Sequence, residues 1–215
     1  MIEVGFYVGL DLGQSADYTA LAIVEDVAGT RPDRGRGKSW HLRHLERYPL
    51  RTPYPQVADR VAALIRDPRL TREEYNSTLG RARKVRPELF VDRTGVGIAV
   101  TDLLTERGLV FTGVTITGGE KVTHDADGYR VPKRDLVATL EVALHAGTLK
   151  VAEGLKLWPV LREEMLNFRR KVNLKTAHDS YEHWRETDHD DLVLATALAC
   201  WGAKRGAWFP MIARA

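Results

Sequence analysis

The sequence of 215 residues predicts an α/β fold in which a mixed sheet is flanked by helices. Two observations predict this fold. Three strand-like segments joined by short loops fill the first part of the chain, which indicates an antiparallel meander. After them, the apolar spacing changes to that of helix faces, and strands then alternate with helices. The sequence contains no internal repeat, low-complexity tract or linker, so we expect a single domain over residues 1–215.

The meander and one helix are predicted in the first half of the chain. The strands are expected at residues 4–10, 19–27 and 40–48. Apolar residues at helical spacing predict a helix over 54–66, with Thr52 as its N-cap. Residues 67–86 are polar and have no clear period, so they predict an exposed insertion with a short helix around 72–82.

Strand and helix alternate in the second half. Strands are predicted at 88–92 and 110–116. Helices are predicted at 97–107, 132–146, 157–168 and 190–204. Two of these helices are expected to end at the glycines 108 and 147. Between the last two helices, residues 169–184 predict a hairpin or a long loop.

Charge and cysteine usage narrow the class of protein. The net charge is +3, and the basic residues concentrate in 31–38, 81–86 and 162–175, which favours an anionic partner such as nucleic acid. The single cysteine, Cys200, cannot form a disulfide within the chain, which fits a reducing compartment. No leader peptide is visible, and no apolar run reaches the roughly 18 residues of a membrane span. We therefore expect a cytoplasmic protein without a membrane partner.

Acidic residues stand at three points where a strand ends or a helix begins. Asp11 closes the first apolar strand, Asp92 closes another, and Asp190 and Asp191 open the final helix. Each of them alone is also explained by a turn or a helix cap. Carboxylates that gather at the rim of a sheet, however, form the kind of site that binds a divalent metal. Their hard oxygen atoms suit Mg²⁺ or Mn²⁺ rather than Zn²⁺.

Taken together, these segments resemble the nuclease domain of phage terminase large subunits, within the RNase H-like superfamily. The matching segments are residues 9–13 with 17–20, 91–97, 190–193 with Ala195, and the basic helix start at 131–137. They occur in the same order and cover nearly the whole chain. The resemblance implies an RNase H-like mixed sheet with a central carboxylate cluster. It also implies cleavage of double-stranded DNA during viral genome packaging.

The resemblance further implies a role for individual residues. The catalytic metal ligands would be Asp11, Asp92, and Asp190 or Asp191, with Asp17 as a secondary ligand. Two Mg²⁺ or Mn²⁺ ions roughly 4 Å apart would activate water and stabilise the departing 3′ oxygen. The expected phosphate contacts are Lys133, Arg134, Arg169, Arg170, Lys171 and Lys175.

The terminase resemblance also implies partners and a location. The implied partners are double-stranded DNA, an ATPase motor domain, a portal and a small terminase subunit. The implied location is the host cytoplasm, if the chain is phage-encoded. The sequence carries no P-loop motif, and therefore no sign of the motor itself.

Three alternative functions remain open at this point. A junction resolvase or another RNase H-like nuclease would use the same carboxylates on a different substrate. An actin-like ATPase or a sugar kinase would use the turn at 9–13, but that fold needs two such domains, for which 215 residues are too few. A non-catalytic DNA-packaging adaptor would not need carboxylates in all three segments.

Overall fold

The computed structural model describes residues 5–13, 17–30, 36–76, 80–95, 97–175 and 189–206. These residues form ten strands and five α-helices. The strands are β1 Gly5–Asp11, β2 Ala20–Thr30, β3 Arg36–Arg47, β4 Arg72–Asn76, β5 Arg81–Val85, β6 Glu88–Asp92, β7 Phe111–Thr117, β8 Thr123–Asp125, β9 Gly128–Pro132 and β10 Leu149–Val151. The helices are α1 Tyr54–Ile65, α2 Gly97–Glu106, α3 Lys133–His145, α4 Trp158–Lys175 and α5 Asp191–Gly206. None of these helices is long and apolar enough to cross a membrane.

Eight of the strands form one mixed sheet, in the order β10-β3-β2-β1-β6-β7-β9-β8. β1, β2 and β3 pair antiparallel, as the predicted meander requires. β1, β6, β7 and β9 pair parallel. The predicted fold class, an antiparallel meander followed by strand-helix units, is therefore confirmed. Because β1 and β6 are parallel neighbours, with Leu10 opposite Val91, their final residues Asp11 and Asp92 end at the same edge of the sheet.

Helices cover both faces of the sheet, which explains why β1 is a continuous apolar run rather than an alternating one. Phe6, Val8 and Leu10 pack in a core with α1 and α2. The opposite face of the sheet packs against α3 and α5 in a second core. Gly9 faces α5, and a Cβ atom there would overlap the Ala195 carbonyl and lie 2.7 Å from the Ala199 nitrogen. α5 thus rests directly on the backbone of β1.

The structure corrects the prediction for the insertion at 67–86. The short helix expected around 72–82 is wrong, because β4 and β5 pair there as a separate antiparallel hairpin. Gly80 has φ +62°, a backbone conformation that suits a tight turn rather than a helix interior. Among the described residues of this segment, the helical part is the single 3₁₀ turn Pro68–Leu70.

Two further local predictions are wrong. The hairpin or loop expected at 169–184 is instead helical over 169–175, because α4 continues through this stretch, which lacks Gly and Pro. Residues 176–184 lie outside the described residues. Thr52 does not cap α1, because its hydroxyl donates to the Pro49 carbonyl at 2.6 Å and Pro53 occupies the N-cap position.

Candidate active site

Asp11 is a buried carboxylate at the end of β1, with 8% of its surface exposed. Gly13, two residues after it, lies against the chain at Asp17 and Tyr18, where a Cβ atom on Gly13 would overlap both carbonyls. The Gly13 amide donates to the Thr19 hydroxyl at 3.1 Å, and the Tyr54 hydroxyl donates to the Gly13 carbonyl at 2.8 Å. These contacts fix the backbone that follows Asp11.

Asp92 lies beside Asp11 at the end of β6 and is 6% exposed. Its Oδ1 accepts a hydrogen bond from the Thr94 amide at 2.8 Å. The Thr94 hydroxyl accepts one from the Ile116 amide at 2.8 Å, which ties this turn to β7. The orientation of Asp92 is therefore set by the backbone of its own turn and by the neighbouring strand.

Burial and neighbouring charges make it unfavourable for Asp11 and Asp92 to be ionised together. Burial raises the pKa of Asp11 well above its usual range, and the charges of Asp92, Asp190 and Asp191 raise it further, while Lys133 opposes the rise. Burial also raises the pKa of Asp92, against hydrogen bonds from Thr94 and from the Asp11 carboxyl. This edge of the sheet therefore holds negative charge that a nearby cation would stabilise.

The acidic pair at the start of α5 divides into two different environments. Asp190 is partly exposed and accepts a hydrogen bond from Lys133 Nζ at 2.6 Å. Asp191 is 5% exposed and receives Arg47, whose Nε lies 2.7 Å from Oδ2 and whose Nη2 lies 3.1 Å from Oδ1. Burial raises the pKa of Asp191, although the hydrogen bond and charge of Arg47 oppose that rise.

A fourth buried carboxylate belongs to this corner of the molecule and was not predicted from the sequence. Glu164 on α4 is 7% exposed and forms an ion pair with Arg47. Its Oε2 also accepts hydrogen bonds from the amides of Leu192 and Val193, at 3.1 and 3.2 Å. The Arg47 guanidinium lies over the Tyr18 ring, 4.8 Å from its centroid.

Whether these carboxylates can bind a metal ion depends on their spacing and on the basic side chains that already contact them. Within the described ranges, no group of three or more His, Cys, Asp and Glu side chains is arranged closely enough to hold a metal ion. Two of the acids are already paired with basic side chains, Asp190 with Lys133 and Asp191 with Arg47. The available donors are carboxylate oxygens, which suit a hard divalent cation, and Lys133 already places one positive charge among them. The chemistry of these donors therefore suits such an ion, whereas the present arrangement of the described side chains does not enclose one.

The remaining predicted site residues are not part of the buried carboxylate group. Asp17 is exposed, beyond the turn at Gly13. Arg134 is exposed on the first turn of α3, and its Nη2 donates to the Glu120 carbonyl at 3.0 Å. Four of the predicted phosphate contacts lie on the C-terminal half of α4, and their side chains fall outside the described part of the chain: Arg169, Arg170, Lys171 and Lys175.

Comparison with known proteins places the fold. No protein-family model matches the sequence, and no curated protein matches it. The large terminase nuclease of thermophilic phage G20c is similar in structure, with TM-score 0.53 and 18% identity over 92% of this chain and 81% of that chain. The Mn-soaked, inhibitor-bound terminase nuclease domain of human cytomegalovirus has TM-score 0.54 and 15% identity over 98% of this chain and 89% of that one. As the sequence predicts, this chain has the RNase H-like fold of terminase nuclease domains.

Proposed function

We propose that this chain is a metal-dependent endonuclease that hydrolyses double-stranded DNA, as a terminase nuclease does during viral genome packaging. One observation carries the proposal. Two buried carboxylates, Asp11 and Asp92, end neighbouring parallel strands, and the charge of Asp190 acts on Asp11 from the start of α5. The likeness in fold to two terminase nuclease domains supports it.

Asp11, Asp92 and Asp190 would hold Mg²⁺ or Mn²⁺, with two ions proposed. When bound, these ions make a water molecule more acidic and stabilise the negative charge that develops on the phosphate. The protein contributes rigid ligands, because the Thr94 amide orients Asp92 and the turn at Gly13 fixes the chain after Asp11. The burial of both carboxylates keeps competing water away from them.

The substrate side of the proposal rests on basic residues close to the carboxylates. Lys133 begins α3 directly after β9, and its ammonium group reaches Asp190. In that position it can transfer its hydrogen bond to a phosphate oxygen of the bound strand, and Arg134 lies beside it on the same turn. Contacts of this kind position a DNA backbone without selecting its sequence. We also propose the ATPase motor, the portal and the small terminase subunit as partners.

Cleavage of supercoiled plasmid and linear duplex DNA tests the proposal. Wild-type protein is incubated with Mn²⁺, Mg²⁺ or EDTA, beside Asp92→Ala and a matched control, Asp102→Ala, which removes an exposed carboxylate from α2. We expect metal-dependent cutting by wild type and Asp102→Ala and none by Asp92→Ala. Equal cutting by Asp92→Ala would overturn the site, and a wild type that cuts nothing with either metal would overturn the nuclease.

A four-way DNA junction included in the same assay separates the two nuclease classes. Both would use the same carboxylates, so only their preference for a substrate differs. We expect the duplex to be cut at least as well as the junction. Cutting confined to the junction would replace a terminase-type nuclease with a resolvase.

A further inference from the structure

We infer that Glu164 and Arg47 are positioning residues, which together hold Asp191 away from the metal and leave Asp190 as the third ligand. The inference rests on the proposed function for the metal that Asp190 would bind. It concerns residues that lie on α4 and β3, outside the three carboxylate segments of the sequence.

Glu164 performs the task that an N-cap side chain normally performs. Asp190 stands at the N-cap of α5, since its carbonyl accepts the first helical hydrogen bond from Leu194 at 2.9 Å. An Asp in that position usually turns its carboxylate back onto the second and third amides of the helix. Here those amides, of Leu192 and Val193, donate to Glu164 instead.

Because the helix is capped from α4, the Asp190 carboxylate does not have to cap it. It extends instead to Lys133, and its charge reaches Asp11. The partner it meets there is a flexible ammonium group, with 29% of the Lys133 side chain exposed. A lysine of that exposure can leave the carboxylate and remain solvated, so Asp190 is available to a metal ion.

The Asp191 carboxylate is occupied by its contact with Arg47. Both of its carboxylate oxygens receive Arg47, in the two-point geometry in which guanidinium binds carboxylate most strongly. The same guanidinium pairs with Glu164, and the Tyr18 ring covers it. Binding a metal at Asp191 would break its two-point contact with Arg47 and leave that guanidinium with Glu164 as its remaining carboxylate contact among the described residues.

Mn²⁺ binding measures the positioning role without relying on catalysis. The Mn²⁺ concentration at half-maximal rise in melting temperature is determined for wild type, Glu164→Ala, Glu164→Gln and the control Glu163→Ala, whose side chain is exposed on the same helix. Calorimetry checks the affinities. Loss of a group that orients a metal ligand commonly weakens metal binding about 10- to 100-fold. We therefore expect Glu164→Ala to raise the midpoint at least about tenfold.

Glu164→Gln keeps an oxygen that can accept the two amides but removes the charge that pairs with Arg47. Its midpoint is expected to lie between those of wild type and Glu164→Ala, and it decides the question if Glu164→Ala does not fold. A purely structural Glu164 would lower the melting temperature and leave the Mn²⁺ midpoint unchanged. That result would overturn the inference.

Asp190→Asn and Asp191→Asn separate the two acids. Asp190→Asn is expected to abolish the Mn²⁺-dependent rise in melting temperature. Asp191→Asn is expected to lower the melting temperature in EDTA and to keep that rise. The opposite pattern would make Asp191 the ligand and refute the assignment. If wild type shows no rise, or Asp92→Ala keeps all of it, the proposed metal site itself has failed, and the inference fails with it.

Discussion

Replacing Gly9 by alanine is expected to push α5 away from the sheet and so to disturb the candidate site from a distance. Gly9 lies in the middle of β1, and the carboxylate of Asp190 depends on where α5 begins. The added methyl group would meet backbone atoms of Ala195 and Ala199, which no change of side-chain rotamer can move aside. The helix itself must therefore shift.

The size of the effect follows from that contact. The new Cβ would stand 2.7 Å from the Ala199 nitrogen and closer still to the Ala195 carbonyl oxygen, whereas ordinary contact is about 3.5–4 Å, so α5 must retreat by at least about 1 Å. Overpacking of a core costs about 1–3 kcal/mol, and a rigid backbone obstacle places Gly9→Ala at about 3 kcal/mol. For a chain of this size, each kcal/mol lowers the melting temperature by about 2–4 °C, which gives a fall of about 6–12 °C.

Thermal unfolding in EDTA, followed by circular dichroism, measures this change. The matched control is Gly118→Ala, because a Cβ atom at that exposed glycine meets nothing within 4 Å. It should change the free energy of unfolding by no more than about 0.5 kcal/mol. We also expect Gly9→Ala to need more Mn²⁺ for half-maximal stabilisation. If Gly9→Ala melts at the same temperature as Gly118→Ala, the close packing of α5 on β1 is refuted.

Three further changes test the electrostatics and the core. The pKa of Asp11 is raised in the folded protein, so the native state binds the carboxyl proton of Asp11 more tightly than the unfolded state does. The free energy of unfolding without metal should therefore fall as the pH rises from 3.8, the ordinary pKa, to the raised pKa of the folded state. Asp11→Asn should reduce that slope and raise the melting temperature at neutral pH in EDTA; an unchanged pH profile would contradict this. Arg47→Ala leaves the buried carboxylates of Glu164 and Asp191 without their guanidinium partner. Urea unfolding should show a loss of about 3–5 kcal/mol in the free energy of unfolding. A loss below about 1 kcal/mol would argue against the buried network. Burial raises the pKa of the Cys200 thiol to about 12, so alkylation should require unfolding; rapid labelling of the native protein would refute its burial.

The parts of the fold that were predictable are those with strong local patterns. β1 and β6 are apolar runs buried on both faces, and α5 is an apolar segment opened by acids. β8 and β10 have only three residues each, too few for alternation to show. β8 pairs with the neighbouring short strand β9, whereas β10 takes its place by pairing with β3, which lies about a hundred residues earlier and which a local pattern does not reveal.

The candidate site was predictable only in part. Asp11 and Asp92 stand beside turn residues at strand ends, and this is visible in the sequence. The environments of Asp190 and Asp191 differ because Arg47, 144 residues from Asp191, binds only one of them. No spacing rule connects residues so far apart, so the sequence left the choice between the two acids open.

Glu164 did carry a signal in the sequence. It lies three residues after Leu161 and four before Phe168, both buried, so it occupies the apolar face of α4. A charged residue on such a face needs a buried partner. Arg47 gave no comparable signal, because β3 contains an irregularity opposite Ile23 and Val24 that breaks its alternation.

The packing of α5 on β1 also sets the order in which the site is completed during synthesis. A ribosome releases Asp11 and Asp92 early, within strands that can already pair, while Asp190 emerges about a hundred residues after Asp92. A nascent chain that stops before α5 therefore has Asp11 and Asp92 without Asp190, and its Gly9 is not covered by that helix. Under the proposed function, α5 would complete the metal site only after the strands before it have been made, so binding of Mn²⁺ would report that β1, β6 and α5 have assembled.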